Sequence, residues 1–168
     1  MEQIVNKVAE SGLIGLDLAK FKPTETVFEI DIADQLWQGF ILKEKDFRAW
    51  VKDHDWNQYS DQIGYITCSA DAIVPTWAFM LVASKLVGIV KFALVGDRNQ
   101  MEKEWISKKI QSEPIESYID GRIIIKGCSD IPNPDYAMVK LIQHLQPHAK
   151  SIMYGEPCST VPLYKRPK

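Results

Sequence analysis

From Tyr65 onward the hydrophobic and polar positions follow two alternating rhythms. Short unbroken apolar runs, "GYIT" (64–67), "KFALVG" (91–96), "RIIIKG" (122–127) and "KSIMYG" (150–155), are separated by stretches with apolar residues at helical spacing. Those stretches are "TWAFMLVASKLVG" (76–88), "MEKEWISKKIQ" (101–111) and "YAMVKLIQHLQ" (136–146). Strands that are apolar on both faces and joined by helices mark a parallel sheet covered on both sides. The pattern predicts four strands and three helices in a mainly parallel α/β fold, flavodoxin-like or Rossmann-like, with three layers and strand order 2-1-3-4. Pro75 and Pro134 stand where a first-turn proline is tolerated, and Asn133 is placed to cap the helix that Pro134 begins. Gly88 closes one helix and Pro147 stops another.

Residues 1–60 read as a strand-strand-helix extension to a core of residues 61–168. "TVFEIDI" (26–32) alternates like a half-exposed strand, and "LWQGFIL" (36–42) looks like its partner. "KEKDFRAWVKDHDW" (43–56) reads as an amphipathic helix with Phe47, Trp50 and Val51 turned inward. At 168 residues the chain fits one domain. A net charge of −2 gives no broad basic face for nucleic acid or an anionic membrane. The N-terminal stretch "MEQIVNKVAESG" lacks the apolar core of a signal peptide, and the most apolar stretch (72–90) is broken by Pro75, Lys85 and Gly88. A cytoplasmic location is the expectation. A homodimer is the commonest form for a soluble oligomer.

The three cysteines change the picture. Cys68, Cys128 and Cys158 each follow an apolar run by a few residues, at spacings of 60 and 30, and one strand with its crossover helix takes roughly 30 residues. On one parallel sheet all three would stand at the carboxyl edge, where open α/β folds place their ligands. Order 2-1-3-4 would set the cysteine-bearing strands side by side, about 4.8 Å apart, so that three thiols reach one metal or small cluster. Gly155 would let the chain bend, and Pro157 and Pro162 would stiffen the turn that carries Cys158.

Three thiolates suit zinc, with a fourth ligand from protein or water. They also suit an iron–sulfur cluster with one iron left open. Asp71 and Glu156 are the nearest candidates for a fourth ligand or an acid/base. Ser69, Ser159 and Thr160 are placed to hydrogen-bond thiolate sulfurs. Each has a plainer reading as a turn or surface residue, and free cysteine often serves as a small buried hydrophobe. His144 and His148 are spaced i, i+4, but Pro147 lies between them, so they stay outside the site.

Two other classes compete with metal binding. Cys68 precedes a helix start near Pro75, whose partial positive charge would favour a thiolate, so it fits a redox or sulfur-transfer protein with Cys128 or Cys158 as resolving thiol. Alternatively Trp37, Phe40, Trp50 and Trp56 form an aromatic surface for a protein partner, although core packing suits most of them better. Dinucleotide, Walker, GxSxG and HExxH motifs are missing. "GDRNQ" (96–100) offers Asp97 or Asn99 as a helix cap.

The blocks "LKEKDFRAWVKDHDW", "TCSADAIVPTWAFM", "IKGC" and "KSIMYGEPCSTVPLYK", in this order across nearly the whole chain, resemble the bacterial family named domain of unknown function 2480. The resemblance implies a small cytosolic α/β protein. All three cysteines lie inside the resembling blocks, but it supplies no catalytic residue.

Overall fold

The structure, a computed structural model, describes residues 12–127, 130–156 and 159–167. Among these residues there are seven strands: β1 (Leu13–Asp17), β2 (Val27–Asp31), β3 (Ile63–Thr67), β4 (Phe92–Val95), β5 (Arg122–Lys126), β6 (Ser151–Glu156) and β7 (Ser159–Lys165). Four α-helices accompany them: α1 (Glu44–Asp53), α2 (Thr76–Leu86), α3 (Arg98–Gln111) and α4 (Pro134–Leu145). The protein is α/β, and its strands form two mostly parallel sheets, β1-β5-β6-β7 and β2-β3-β4.

This corrects the expected single sheet in order 2-1-3-4. Two of the three predicted βαβ units form, β3-α2-β4 and β5-α4-β6; the middle one, β4-α3-β5, does not, because β4 and β5 belong to different sheets. Instead β1 pairs parallel with β5 and β2 pairs parallel with β3. The N-terminal strands therefore each open a sheet of their own. Chain contacts divide accordingly into two compact units, Met1–Pro23 with Lys103–Lys168, and Thr24–Glu102, the boundary falling within α3.

In the first unit β5, "RIIIK", buries three consecutive isoleucines, Ile123, Ile124 and Ile125, as a strand covered on both faces must. Ile123 and Ile125 pack with Leu16, Ile152, Leu141 and Leu145 in the main cluster. Pro134 opens α4 as predicted, but Asn133 takes a left-handed conformation (φ 52°) and makes no capping bond with its side chain. The sheet also gains β7, which runs antiparallel to β6 and contains Pro162, opposite Met153. Pro162 thus belongs to a strand and not to the turn assigned to it from sequence. Edge position explains its tolerance, since no ladder bond is demanded of its missing N–H.

The second unit packs Phe28, Ile30, Phe47, Val51, Ile66 and Val82 into its core. Phe47 and Val51, four residues apart, form the buried stripe of α1, with Trp50 half-buried beside them. Ala78, Val82 and Leu86 do the same for α2, which ends as expected with Gly88 at φ 78°. Gly64 lies opposite Phe28; a Cβ there would stand 2.5 Å from the Phe28 carbonyl oxygen. Residues 36–42 are not the expected strand. Only Trp37 and Ile41 bridge, around Gln38 and Gly39, which both have positive φ. Trp37 and Phe40 are exposed and Trp56 is buried, its indole N–H donating to the Val51 carbonyl at 2.8 Å.

Candidate functional site

The carboxyl ends of the parallel strands carry the residues singled out from sequence. Cys68 follows β3 directly and is half-exposed, its thiol donating to the Ala70 carbonyl oxygen at 3.7 Å. Ser69 is exposed, and its N–H donates to Asp31 Oδ1 at 3.0 Å. The same carboxylate oxygen accepts the Ala33 N–H at 2.9 Å, closing the turn after β2. Asp31 and Thr67 are register partners, so one carboxylate fastens the two adjacent strand ends and fixes the turn that begins at Cys68. Burial opposes its charge, but hydrogen bonds from the Ser69 side chain and backbone and from Ala33 outweigh this and hold the carboxyl below its usual value.

Asp31 was not among the predicted residues, although the sequence carries a mark of it. "IDIA" (30–33) repeats "LDLA" (16–19), and each opens a short 3-10 turn at the end of a strand. Asp17 accepts the Ala19 N–H at 2.8 Å as Asp31 accepts that of Ala33. The Cys-Ser pairs follow the same scheme in sequence: Cys68-Ser69 comes after β3, the neighbour of β2, and Cys128-Ser129 after β5, the neighbour of β1.

Cys128 and Cys158, with Pro157, lie outside the described residues. The residues leading to them are described. Ile125 pairs with Tyr154 near the carboxyl ends of β5 and β6, and Lys126, the next residue of β5, has its Nζ 3.5 Å from Oε2 of Glu156, two residues past Tyr154. Both partners of that ion pair are substantially exposed. Ser159 is the register partner of Glu156, and Thr160 of Gly155. Gly155, at φ 117°, has its Cβ position 2.5 Å from the Ser159 carbonyl oxygen, so this bend demands glycine. Gly127 is less strictly confined, since a Cβ would meet side-chain atoms only, the Met138 methyl and the Tyr154 ring. Beside them opens a largely apolar groove of about 730 Å³, lined by Ile125, Gly127, Met138, Ile142, Tyr154 and Leu163 among others.

The structure therefore brings Ser69 to Asp31, Glu156 to Lys126 and Ser159, and Thr160 to Gly155. It places Cys68, Ser69 and the exposed Asp71 in the second unit and Glu156, Ser159 and Thr160 in the first. The expectation that the cysteine-bearing strands lie side by side holds for β5 and β6; β3 belongs to the other sheet. Among the described residues no group of three His, Cys, Asp or Glu side chains is close enough to hold a metal ion. His144 has a structural partner, the Glu113 carbonyl oxygen, 2.9 Å from its Nε2. Asp97 caps α3 as predicted, accepting the Gln100 N–H at 2.8 Å.

Among the described residues no helix is long and apolar enough to cross a membrane. No curated protein and no solved structure matches the chain. A family model matches residues 2–166, nearly the full length, and the chain belongs to the family described as protein of unknown function (DUF2480).

Proposed function

We propose that the protein binds a metal at the carboxyl edge of its first unit, with Cys128 and Cys158 as thiolate ligands and Glu156 as the carboxylate beside them. The observation that carries this reading is the parallel register of β5 and β6. Parallel neighbours lie about 4.8 Å apart, and in sequence a cysteine follows the last residue of each of these two strands by two positions. Two thiolates at that spacing match the bite of a zinc ion or of an iron–sulfur cluster, with Glu156 or solvent completing the set. Binding would draw Glu156 away from Lys126, a weak exposed pair whose loss costs little. Ser159 and Thr160, at the start of β7, would orient the thiolates by hydrogen bonds. A reducing cytoplasm keeps such thiols free of disulfides.

Cys68, with Asp71 the carboxylate nearest to it in the chain, belongs to the second unit and is not counted among these ligands. Elemental analysis and visible spectroscopy of protein purified without oxygen test the proposal. About one zinc per chain, or iron with sulfide, should be present and should be lost in Cys128→Ser and in Cys158→Ser. Cys68→Ser should retain it. Retention there would leave Cys68 to thiol chemistry, which its half exposure permits. Metal-free wild-type protein would defeat the metal reading.

A further inference from the structure

We infer that the end of the first unit's sheet where β5 and β6 begin binds a small phosphate monoester, its phosphate held by Arg122, Lys150, Lys165 and the Ser151 hydroxyl and its organic part by apolar residues beside them. The register gathers these groups. Arg122, the first residue of β5, pairs with Ser151, the first of β6, and Ser151 pairs with Lys165, the last of β7. Paired residues share a face of the sheet, so two cations flank one hydroxyl, about 10 Å apart across two strand spacings. Arginine and lysine side chains are long enough to close that span on an anion between them. Lys150, next to Ser151, has its backbone pinned. Its N–H donates to the Gly121 carbonyl at 2.8 Å, and its own carbonyl accepts the Arg166 N–H at 2.9 Å. Arg122, Lys150, Ser151 and Lys165 together line a concavity of about 410 Å³, within the size range of small-molecule sites.

Charge defines the ligand. Among the described residues no acidic side chain lines this concavity, and none of its three cations joins an ion pair. Asp120, the acid nearest to Arg122 in sequence, is already paired with Arg166. Like charges gathered without a counter-ion repel one another, and a bound dianion removes that cost. A phosphate monoester brings about two negative charges and three acceptor oxygens, enough for Arg122 to bind bidentately while Ser151 and the lysines donate as well. A carboxylate, with a single charge, would leave cations unmatched. The remaining wall is apolar. Leu13 is the partner of Arg122 in β1, and Met153 and Pro162 are partners in β6 and β7. An aromatic or aliphatic ester would cover that surface, which bare phosphate leaves wet. The site stands at the end of β5 and β6 opposite to Lys126 and Glu156, so it does not depend on the metal.

Titration of the full chain with phenyl phosphate, followed by calorimetry and by amide NMR, tests the site. Binding should saturate at one equivalent and shift the amides of Arg122, Ser151 and Lys165. Arg122→Gln, a change at an exposed residue, should weaken it about tenfold, and Ser151→Ala about threefold. Lys52→Gln, which removes an exposed cation of the second unit, should leave the affinity unchanged. Inorganic phosphate should compete at the same residues about tenfold more weakly. Circular dichroism should show every variant folded. Phenyl phosphate that fails to saturate the chain at millimolar concentration would overturn the inference. So would equal affinity in Arg122→Gln and wild type, or an equal loss in Lys52→Gln. Binding of a short single-stranded oligonucleotide that phenyl phosphate cannot displace would likewise overturn it, and would assign the cations to nucleic acid.

Discussion

The two sheets are built from one plan and finished in two ways. Each starts with a strand that ends in aspartate and a 3-10 turn, "LDLA" for β1 and "IDIA" for β2, and each sets that strand beside the first strand of a βαβ unit. Among the described residues the first sheet ends with the antiparallel, proline-bearing β7 and the second with the apolar β4. The shared part is local chemistry, an Asx turn that satisfies backbone N–H groups where a strand ends. The difference lies at the far edge: an antiparallel strand with proline and lysine in one, a short apolar parallel strand in the other.

If the two cores are equivalent, removing a central isoleucine should hurt each alike. Ile125→Ala in the first unit and Ile66→Ala in the second, both essentially fully buried, should each cost about 2–5 kcal/mol in chemical denaturation. A much smaller cost for one would show that its sheet contributes little to the cooperative core.

Next in size come the glycines. Gly64→Ala meets the backbone of Phe28, and Gly155→Ala combines a left-handed φ with the Ser159 carbonyl; each should cost about 1–3 kcal/mol. Only Gly155→Ala should also lower metal content, because only it lies at the edge leading to Cys158.

Smaller still is the aspartate turn. Asp31→Ala should destabilise by about 1 kcal/mol and speed amide exchange at Ser69 and Ala33, while Asp31→Asn, which keeps an acceptor, recovers most of the loss. The carboxylates also set an acid limit. In the first unit burial opposes the charge of Glu113, but Lys20 and Tyr118 outweigh it and hold this carboxyl below its usual value. Burial and that same carboxylate push the Tyr118 hydroxyl up to about 12. A group whose pKa is lower folded than unfolded stabilises the protein above its unfolded value and loses that contribution as pH falls through the folded one. Stability should therefore decline below the ordinary carboxyl value of 4.5, less steeply in Glu113→Gln. Asp31→Asn should flatten the same limb from the second unit. The least effect belongs to Lys126→Ala, well under 1 kcal/mol by thermal denaturation, as for about any exposed pair.

Local features were legible in the sequence and long-range pairings were not. Phe47 with Val51, the Ala78-Val82-Leu86 stripe, Pro134 at the helix start and Gly88 at a helix end all follow from spacing or from one residue's backbone preference. β1 escaped notice because "LIGLD" is short and interrupted by Gly15, and β7 because Pro162 argues against a strand except at an edge. The division into two sheets depends on which strands pair across more than a hundred residues, as Leu13 with Arg122, and no local pattern specifies that. For the same reason the strand-end position of Cys68 could be read from its flanking residues, whereas its sheet could not. Asp31 needed comparison of two four-residue words, 14 positions apart, that are unremarkable singly.

The metal site is the central claim, and cobalt substitution tests it most directly. Chain stripped of metal and titrated with Co²⁺ should develop intense sulfur-to-cobalt charge-transfer absorption that saturates at about one equivalent and disappears in Cys128→Ser and Cys158→Ser. Absorption that never develops, or that persists unchanged in both variants, would contradict the account and return those cysteines to structural duty.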